Sequence, residues 1–382
     1  MFSMLDAASH MARRRIISSV YAKSNLISGP SSVTRSTNEI IGRDLVKHIS
    51  EQARSGTVVG IVQLYARMMV DATSAFIFGM DGRSNYLHDE TAWKLLAKSF
   101  GDRSQGVFLP QELPVLNNLA QRLGFKSGTG LDLVDAWCLD KCRDVEARAI
   151  AGQLEEGEAS VWRSLDNAIA RSKKDLDRDM RRRLVASEIM DHIVAAFDTS
   201  SIALNYSTYQ LSRPCNRHIQ DALREELRSL HGQDKDGQEN SLPPLKSLDG
   251  LPLLSAILME TLRLHQPVPG PQPRVSHAGA TLEGVGTLPS GVQVSANALC
   301  LHRNEDVFPN PNEWTPHRWM KEGAKDDERL KEMNRWFWAF GSGGRMCIGN
   351  HFAILHMKAA LAAIYSRFAT EIVDDSGIEQ LE

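Results

Sequence analysis

The segment Phe340-Gly341-Ser342-Gly343-Gly344-Arg345-Met346-Cys347-Ile348-Gly349 puts one cysteine in a glycine-rich loop just ahead of a helical apolar pattern. The thiolate is the form of cysteine that binds a metal, and backbone N–H groups, a nearby cation and a helix N-terminus all stabilise it. Arg345 supplies the cation two residues before the sulfur. Gly343 and Gly349 admit close backbone approach, and Phe340 is placed to shield a metal–sulfur bond from water. The loop therefore suits a single thiolate ligand to a metal held in a flat cofactor. A buried structural cysteine is the plainer alternative. A dinucleotide-binding loop is excluded, because Met346 stands where a third glycine is required and Trp336-Phe337-Trp338-Ala339-Phe340 is no ordinary buried strand.

Phe-x-x-Gly-x-Arg-x-Cys-x-Gly resembles the heme-ligand signature of the cytochrome P450 family, matched by Phe340, Gly343, Arg345, Cys347 and Gly349. The resemblance implies a mainly α (α+β) fold, helix-rich with small β-sheets. It implies heme b (iron protoporphyrin IX) as cofactor, Cys347 as its iron ligand, and a monooxygenase of the fungal microsomal type. In that chemistry one atom of O2 enters a hydrophobic small molecule, and secondary metabolism is the setting the resemblance suggests. The thiolate's electron donation favours O–O cleavage.

Glu260 and Arg263, spaced i and i+3, project from one helix face and can share an ion pair. Alone, such a pair is usually an exposed salt bridge of little energetic value. Its weight comes from chain order, since Phe308-Pro309-Asn310-Pro311 and Pro316-His317-Arg318-Trp319 lie between it and Cys347. This order is similar to the family's Glu-x-x-Arg helix and the Pro-x-Arg segment after it. By that resemblance Arg318 completes a buried structural network with Glu260 and Arg263.

Ala195-Ala196-Phe197-Asp198-Thr199-Ser200 interrupts an apolar helix face with an acid and two hydroxyls. A back-bond from Thr199 to the preceding turn is one account of it. Proton delivery is the other, because reductive cleavage of O2 consumes two protons in a pocket otherwise kept dry. The run resembles the family's Ala/Gly-Gly-x-Asp/Glu-Thr-Thr segment, with Ala196 for the glycine and Ser200 for the second threonine. The same resemblance assigns Arg14, Arg274 and Arg345 to the heme propionates, and Met190, Val194, Phe197, Val268 and Pro269 to an apolar substrate pocket. Arg13 to Arg15 also suit a solvated face or a targeting segment.

The elements that position these residues are mostly helical by period, with strand-like alternation between about Arg274 and Ala298. Leu184, Val185, Ile189, Met190, Ile193, Phe197, Ile202 and Leu204 predict one long core helix, with Arg181, Arg182 and Arg183 solvated near its start. A helix over Asp221–His231 precedes a polar loop over 232–241. Pro252 opens a helix that ends before Pro267, and a last helix runs from Phe352 to Phe368.

The 382 residues, 42% hydrophobic and 24% charged, are of ordinary globular composition without repeats. A net charge of -3 argues against a nucleic-acid partner. Five cysteines without paired spacing point to a reducing compartment, with Cys138 and Cys142 packed on one helix. Uninterrupted apolar runs fall short of bilayer length. Gly106 to Phe125, with Phe108 and Leu109, is apolar enough to dip into a membrane surface or to fold over the substrate pocket.

The resemblance covers nearly all of the chain, read as one heme-thiolate domain over 1–382, incomplete at the N-terminus and short at the C-terminus. An endoplasmic reticulum membrane location is expected for a full-length member. Without an anchor this chain would be cytoplasmic or peripheral, with peripheral membrane contact. No flavin or nicotinamide fingerprint is present, so NADPH-cytochrome P450 reductase is the expected electron donor. Two alternatives stay open: a non-catalytic remnant that binds heme weakly or not at all, and a heme-thiolate isomerase or dehydratase.

Overall fold

The computed structural model describes residues 7–27, 32–106, 114–123, 131–231, 242–321, 323 and 326–376. The chain is helix-rich with small antiparallel sheets and separates into two compact units. The first comprises Met1–Asp198 with Gln238–Leu242, the second Thr199–Gly237 with Pro243–Glu382.

The first unit is built around the helix Ile61–Phe78, buried from Leu64 to Phe78. This helix is long and apolar enough to cross a membrane by length and composition, yet 83% of it is buried inside the protein. Its polar residue Asp71 is satisfied internally: the carboxylate accepts from Ser84 Oγ at 2.7 Å and from the Tyr86 and Leu87 amides at 2.8 and 2.9 Å. Such pairing is what lets a charged group enter a core. Ahead of it, Thr37–Leu45 forms nine residues of wider, π-type turns, which periodicity alone does not disclose.

One helix, Arg178–Ser212, runs for 35 residues and carries Met190 to Thr199. Of the three arginines expected to be solvated near its start, two are instead held by acids. Arg181 pairs with Asp166 at 2.9 Å, and Arg182 pairs with Glu146 at 2.7 Å. The acids come from the helices Ser160–Ser172 and Leu131–Ile150, partners a local pattern cannot reveal. Arg183 is exposed. Cys138 and Cys142 are both buried on Leu131–Ile150, and burial pushes the Cys142 thiol up to about 12.

In the second unit, Pro252 sits at the first turn of Pro252–Leu264, where its missing N–H costs nothing. The Glu226 carboxylate caps that turn, accepting from the amides of Leu253 and Leu254 at 2.7 and 2.9 Å. Leu253, Leu254, Ile257, Leu258 and Leu262 bury one face, and the helix packs on Asn350–Tyr365 with its buried Phe352, Leu355, Ala359, Leu361 and Ile364. Each buried leucine, isoleucine or phenylalanine contributes about 1.5–3 kcal/mol by leaving water. The last helix ends at Tyr365, so Phe368 lies beyond it and its carbonyl accepts from Arg224. The helix before 232 begins earlier than expected, at Arg217. The expected polar loop over 232–241 lies outside the described residues.

β1 (Pro271–Val275) pairs antiparallel with β4 (Gln293–Asn297), placing Pro273 opposite Ser295 and Arg274 opposite Val294. β2 (Thr281–Leu282) and β3 (Gly286–Thr287) form a second small hairpin between them.

Candidate functional site: a cysteine loop on a buried ion-pair network

Cys347 is half-buried in a loop that leads into Asn350–Tyr365. The loop closes on itself, the Cys347 amide donating to the Phe340 carbonyl at 2.8 Å and the Gly341 amide to the Trp338 carbonyl at 2.9 Å. Gly341 and Gly343 have φ of +68° and +67°, a left-handed conformation that other residues adopt only at a cost. A Cβ on Gly341 would lie 2.9 Å from Gln272 Oε1, so the loop approaches β1 closely there. Cβ atoms on Gly343, Gly344 and Gly349 would instead meet open space. A half-buried thiol in a loop whose Gly343, Gly344 and Gly349 carry no side chain and face open space fits a flat metal-bearing group.

Arg274 alternates with Gln272 on one face of β1, the face that reaches the cysteine loop. It is exposed, and its guanidinium donates to the Pro273 carbonyl at 2.8 Å. Arg345 and Phe340 are half-buried in the loop itself.

On Pro252–Leu264, Glu260 and Arg263 meet in a bidentate pair, Nε to Oε2 and Nη2 to Oε1, each at 2.9 Å. Both side chains are fully buried. Arg318 Nε adds a third cation contact to Glu260 Oε1 at 3.0 Å. The Thr315 amide and Trp319 Nε1 each donate to the same carboxylate at 2.9 Å. Arg263 Nη1 donates to the carbonyls of His302 and Pro311 at 2.8 and 2.7 Å, and Arg318 Nη1 donates to Pro309 at 2.7 Å. The Arg263 guanidinium also lies 5.3 Å from the Phe308 ring centroid. Planar forks suit such many-sided pairing. Chain order pointed to the three charged residues; Thr315, Trp319 and His302 carried no local signal.

On the first unit, Met190 and Val194 are half-buried, while Phe197 is packed against Phe100 at 4.8 Å and Trp93 at 6.1 Å between centroids. Phe197 is thus part of an aromatic cluster. Asp198 is exposed on one side, yet desolvation by the surrounding protein pushes its carboxyl above the ordinary range. Thr199 follows it, half-buried, as the first residue of the second unit. Val268 and Pro269, also on the second unit, are exposed. Arg14 is half-buried on Ala7–Ile17, where its neighbour Arg13 pairs with Glu188 at 2.8 Å.

A surface cleft of about 240 Å³ lined by Glu146, Trp162, Asp166, Arg178 and Arg181 lies in the first unit and holds none of these residues.

The cytochrome P450 family pattern matches residues 24–382, and the chain belongs to that family. It is 26% identical over 368 residues to the cytochrome P450 monooxygenase avaI of Aspergillus versicolor, covering 93% of this chain and 80% of that one. It is 30% identical over 329 residues to the cytochrome P450 monooxygenase FGM1 of Gibberella zeae, covering 84% of this chain but 60% of the relative. Among solved structures, the cytochrome P450DA heme domain superposes with a TM-score of 0.70 at 18% identity over 93% of this chain and 70% of that one, a likeness of fold. Membership implies a heme cofactor, for which Cys347 is the chemically suited ligand.

Proposed function

We propose that this chain is the heme-thiolate core of a fungal microsomal-type cytochrome P450 that inserts one atom of O2 into a hydrophobic small molecule of secondary metabolism. The supporting observation is the Cys347 loop, closed by its own backbone bonds, together with the buried Glu260–Arg263–Arg318 network. Cys347 would hold heme b as a thiolate. Bound there, heme would supply the activation of O2, one atom going to a C–H or C=C bond and the other to water, with two electrons and one proton supplied by NADPH and a second proton by solvent.

The protein's parts divide by their chemistry. Phe340 excludes water from the sulfur side, and Arg345, Arg274 and Arg14 are cations for the propionates. Asp198, whose raised carboxyl exchanges a proton closer to neutrality than an ordinary aspartate, passes protons with the Thr199 hydroxyl. Met190 and Val194 are the apolar residues we assign to the substrate in the first unit, and Val268 and Pro269 those we assign in the second. Electrons come from NADPH-cytochrome P450 reductase.

For location we propose a peripheral association with the endoplasmic reticulum membrane. Phe108 and Leu109 lie outside the described residues. Next to them, Leu116, Leu119 and Leu123 follow helical spacing over and just past Pro114–Arg122 and are 52%, 53% and 68% exposed. An apolar stripe so exposed suits a lipid interface.

The deciding experiment reconstitutes the chain with heme and records the carbon monoxide difference spectrum after reduction. The strongly red-shifted Soret band of a thiolate-ligated heme, absent from Cys347→Ser, supports the proposal. Absence of heme binding in the wild-type chain would overturn it in favour of a non-catalytic remnant. Turnover independent of NADPH and O2 would favour an isomerase or dehydratase.

A further inference from the structure

His302 ends the short helix Ala298–His302 and is fully buried. Its Nδ1 lies 2.9 Å from the Arg263 carbonyl, and its Nε2 lies 2.8 Å from the Trp338 amide nitrogen. A carbonyl only accepts and an amide N–H only donates. The two contacts together therefore fix one neutral tautomer, with the proton on Nδ1 and the lone pair on Nε2. The ring stacks on Phe337 at 5.4 Å and 15°, and meets the edge of Phe308 at 6.4 Å. His302's own carbonyl accepts from Arg263 Nη1. One side chain is thus bonded at one end to the residue that pairs with Glu260, and at the other to the chain entering the cysteine loop. From Trp338 the bonds continue, Gly341 N–H to the Trp338 carbonyl and Cys347 N–H to the Phe340 carbonyl.

We propose that His302 is a positioning residue for the Cys347 thiolate, tying the Glu260–Arg263 network to the start of the loop through the Trp338 amide. This rests on the heme-thiolate reading above. His302 touches neither substrate nor cofactor in this role; it acts on the height and tilt of the loop. The buried imidazole is held neutral by desolvation, in keeping with its acceptor task.

Three substitutions separate its two bonds. His302→Gln carries an amide oxygen close to the position of Nε2 and keeps an acceptor for Trp338. His302→Asn carries an amide nitrogen close to Nδ1 and keeps only the Arg263 bond. His302→Phe keeps the ring stacking and loses both. Amide hydrogen exchange over 336–347 in the heme-free full chain is the first readout. We expect exchange to quicken by about ten-fold in the Asn and Phe variants and to stay near wild type in Gln. The second readout is the red-shifted Soret fraction of the reduced carbon monoxide form, expected to fall by half or more in Asn and Phe and to be retained in Gln. Wild-type exchange and wild-type Soret fraction in both Asn and Phe would overturn the role of His302 while leaving the heme-thiolate reading intact. A wild-type chain with no red-shifted band would overturn that reading and with it the role toward the thiolate, exchange then reporting only the His302–Trp338 link.

Discussion

Arg263 and Glu260 face each other through two nitrogen–oxygen contacts of 2.9 Å with neither side chain reaching solvent. Taking two charges out of water is costly, and the pair persists because every remaining donor finds a carbonyl and the carboxylate gathers five donors from four residues and Arg318 lies among them. Removing one partner strands the other. Arg263→Ala and Glu260→Ala should each cost about 3–5 kcal/mol in urea unfolding. Arg263→Lys, which keeps charge but loses the fork, should recover only part of that. Wild-type unfolding midpoints in all three would show that the network does not hold the unit together.

The cysteine loop's glycines can be compared. Gly341→Ala and Gly343→Ala both force a left-handed conformation on a residue with a Cβ, at about 1–2 kcal/mol each. Only the first also drives into Gln272. The Gln272 amide is the end of a flexible side chain and can swing aside, so the two variants should lose similar stability in thermal unfolding, set by the left-handed backbone. A loss at Gly341 much larger than at Gly343 would instead mean that Gln272 is held in place against the loop.

Acid should weaken the fold as its buried histidines gain protons. Burial drives His192, His302 and His356 each down to about 4. A histidine whose folded pKa lies below its unfolded value of about 6.5 contributes full stability above that value, and loses it as pH falls toward 4. The loss is on the order of 3 kcal/mol for each. Asp71, Asp166 and Asp198 act with the opposite sign, since burial raises all three, and they offset part of this loss from about 3.8 upward. Urea midpoints should fall between pH 7.5 and 5.5. A flat profile would mean that these imidazoles are solvated.

Asp198 and Thr199 are expected to matter for turnover and little for folding. Asp198→Asn and Thr199→Ala should reduce product formation by about a hundred-fold where proton transfer limits the rate, with thermal unfolding close to wild type. Undiminished product formation from both variants would remove the run from the proton path.

Legibility in the sequence followed distance along the chain. The Cys347 loop declared itself because its glycines, cation and ligand are consecutive, and Pro252–Leu264 because Pro252 and the leucine spacing are local. Glu260 and Arg263 were visible as an i, i+3 pair, and Arg318 through the order of the segments. His302 was not, because its partners Arg263 and Trp338 lie on either side of it at separations of 39 and 36 residues. The same reason hid the acids paired with Arg181 and Arg182, and the ring of Phe100 against Phe197.

The unequal burial of the cysteines gives this chain its own occupancy gauge. Cys138 and Cys142 are sealed, Cys215 and Cys300 are exposed, and Cys347 stands between. A maleimide applied to the native fold has two thiols within easy reach, and a third whose availability depends on whether its sulfur is already engaged. The number of labels per chain, weighed by mass spectrometry, would thus tell empty molecules from filled ones one by one, with no spectrum of the cofactor required.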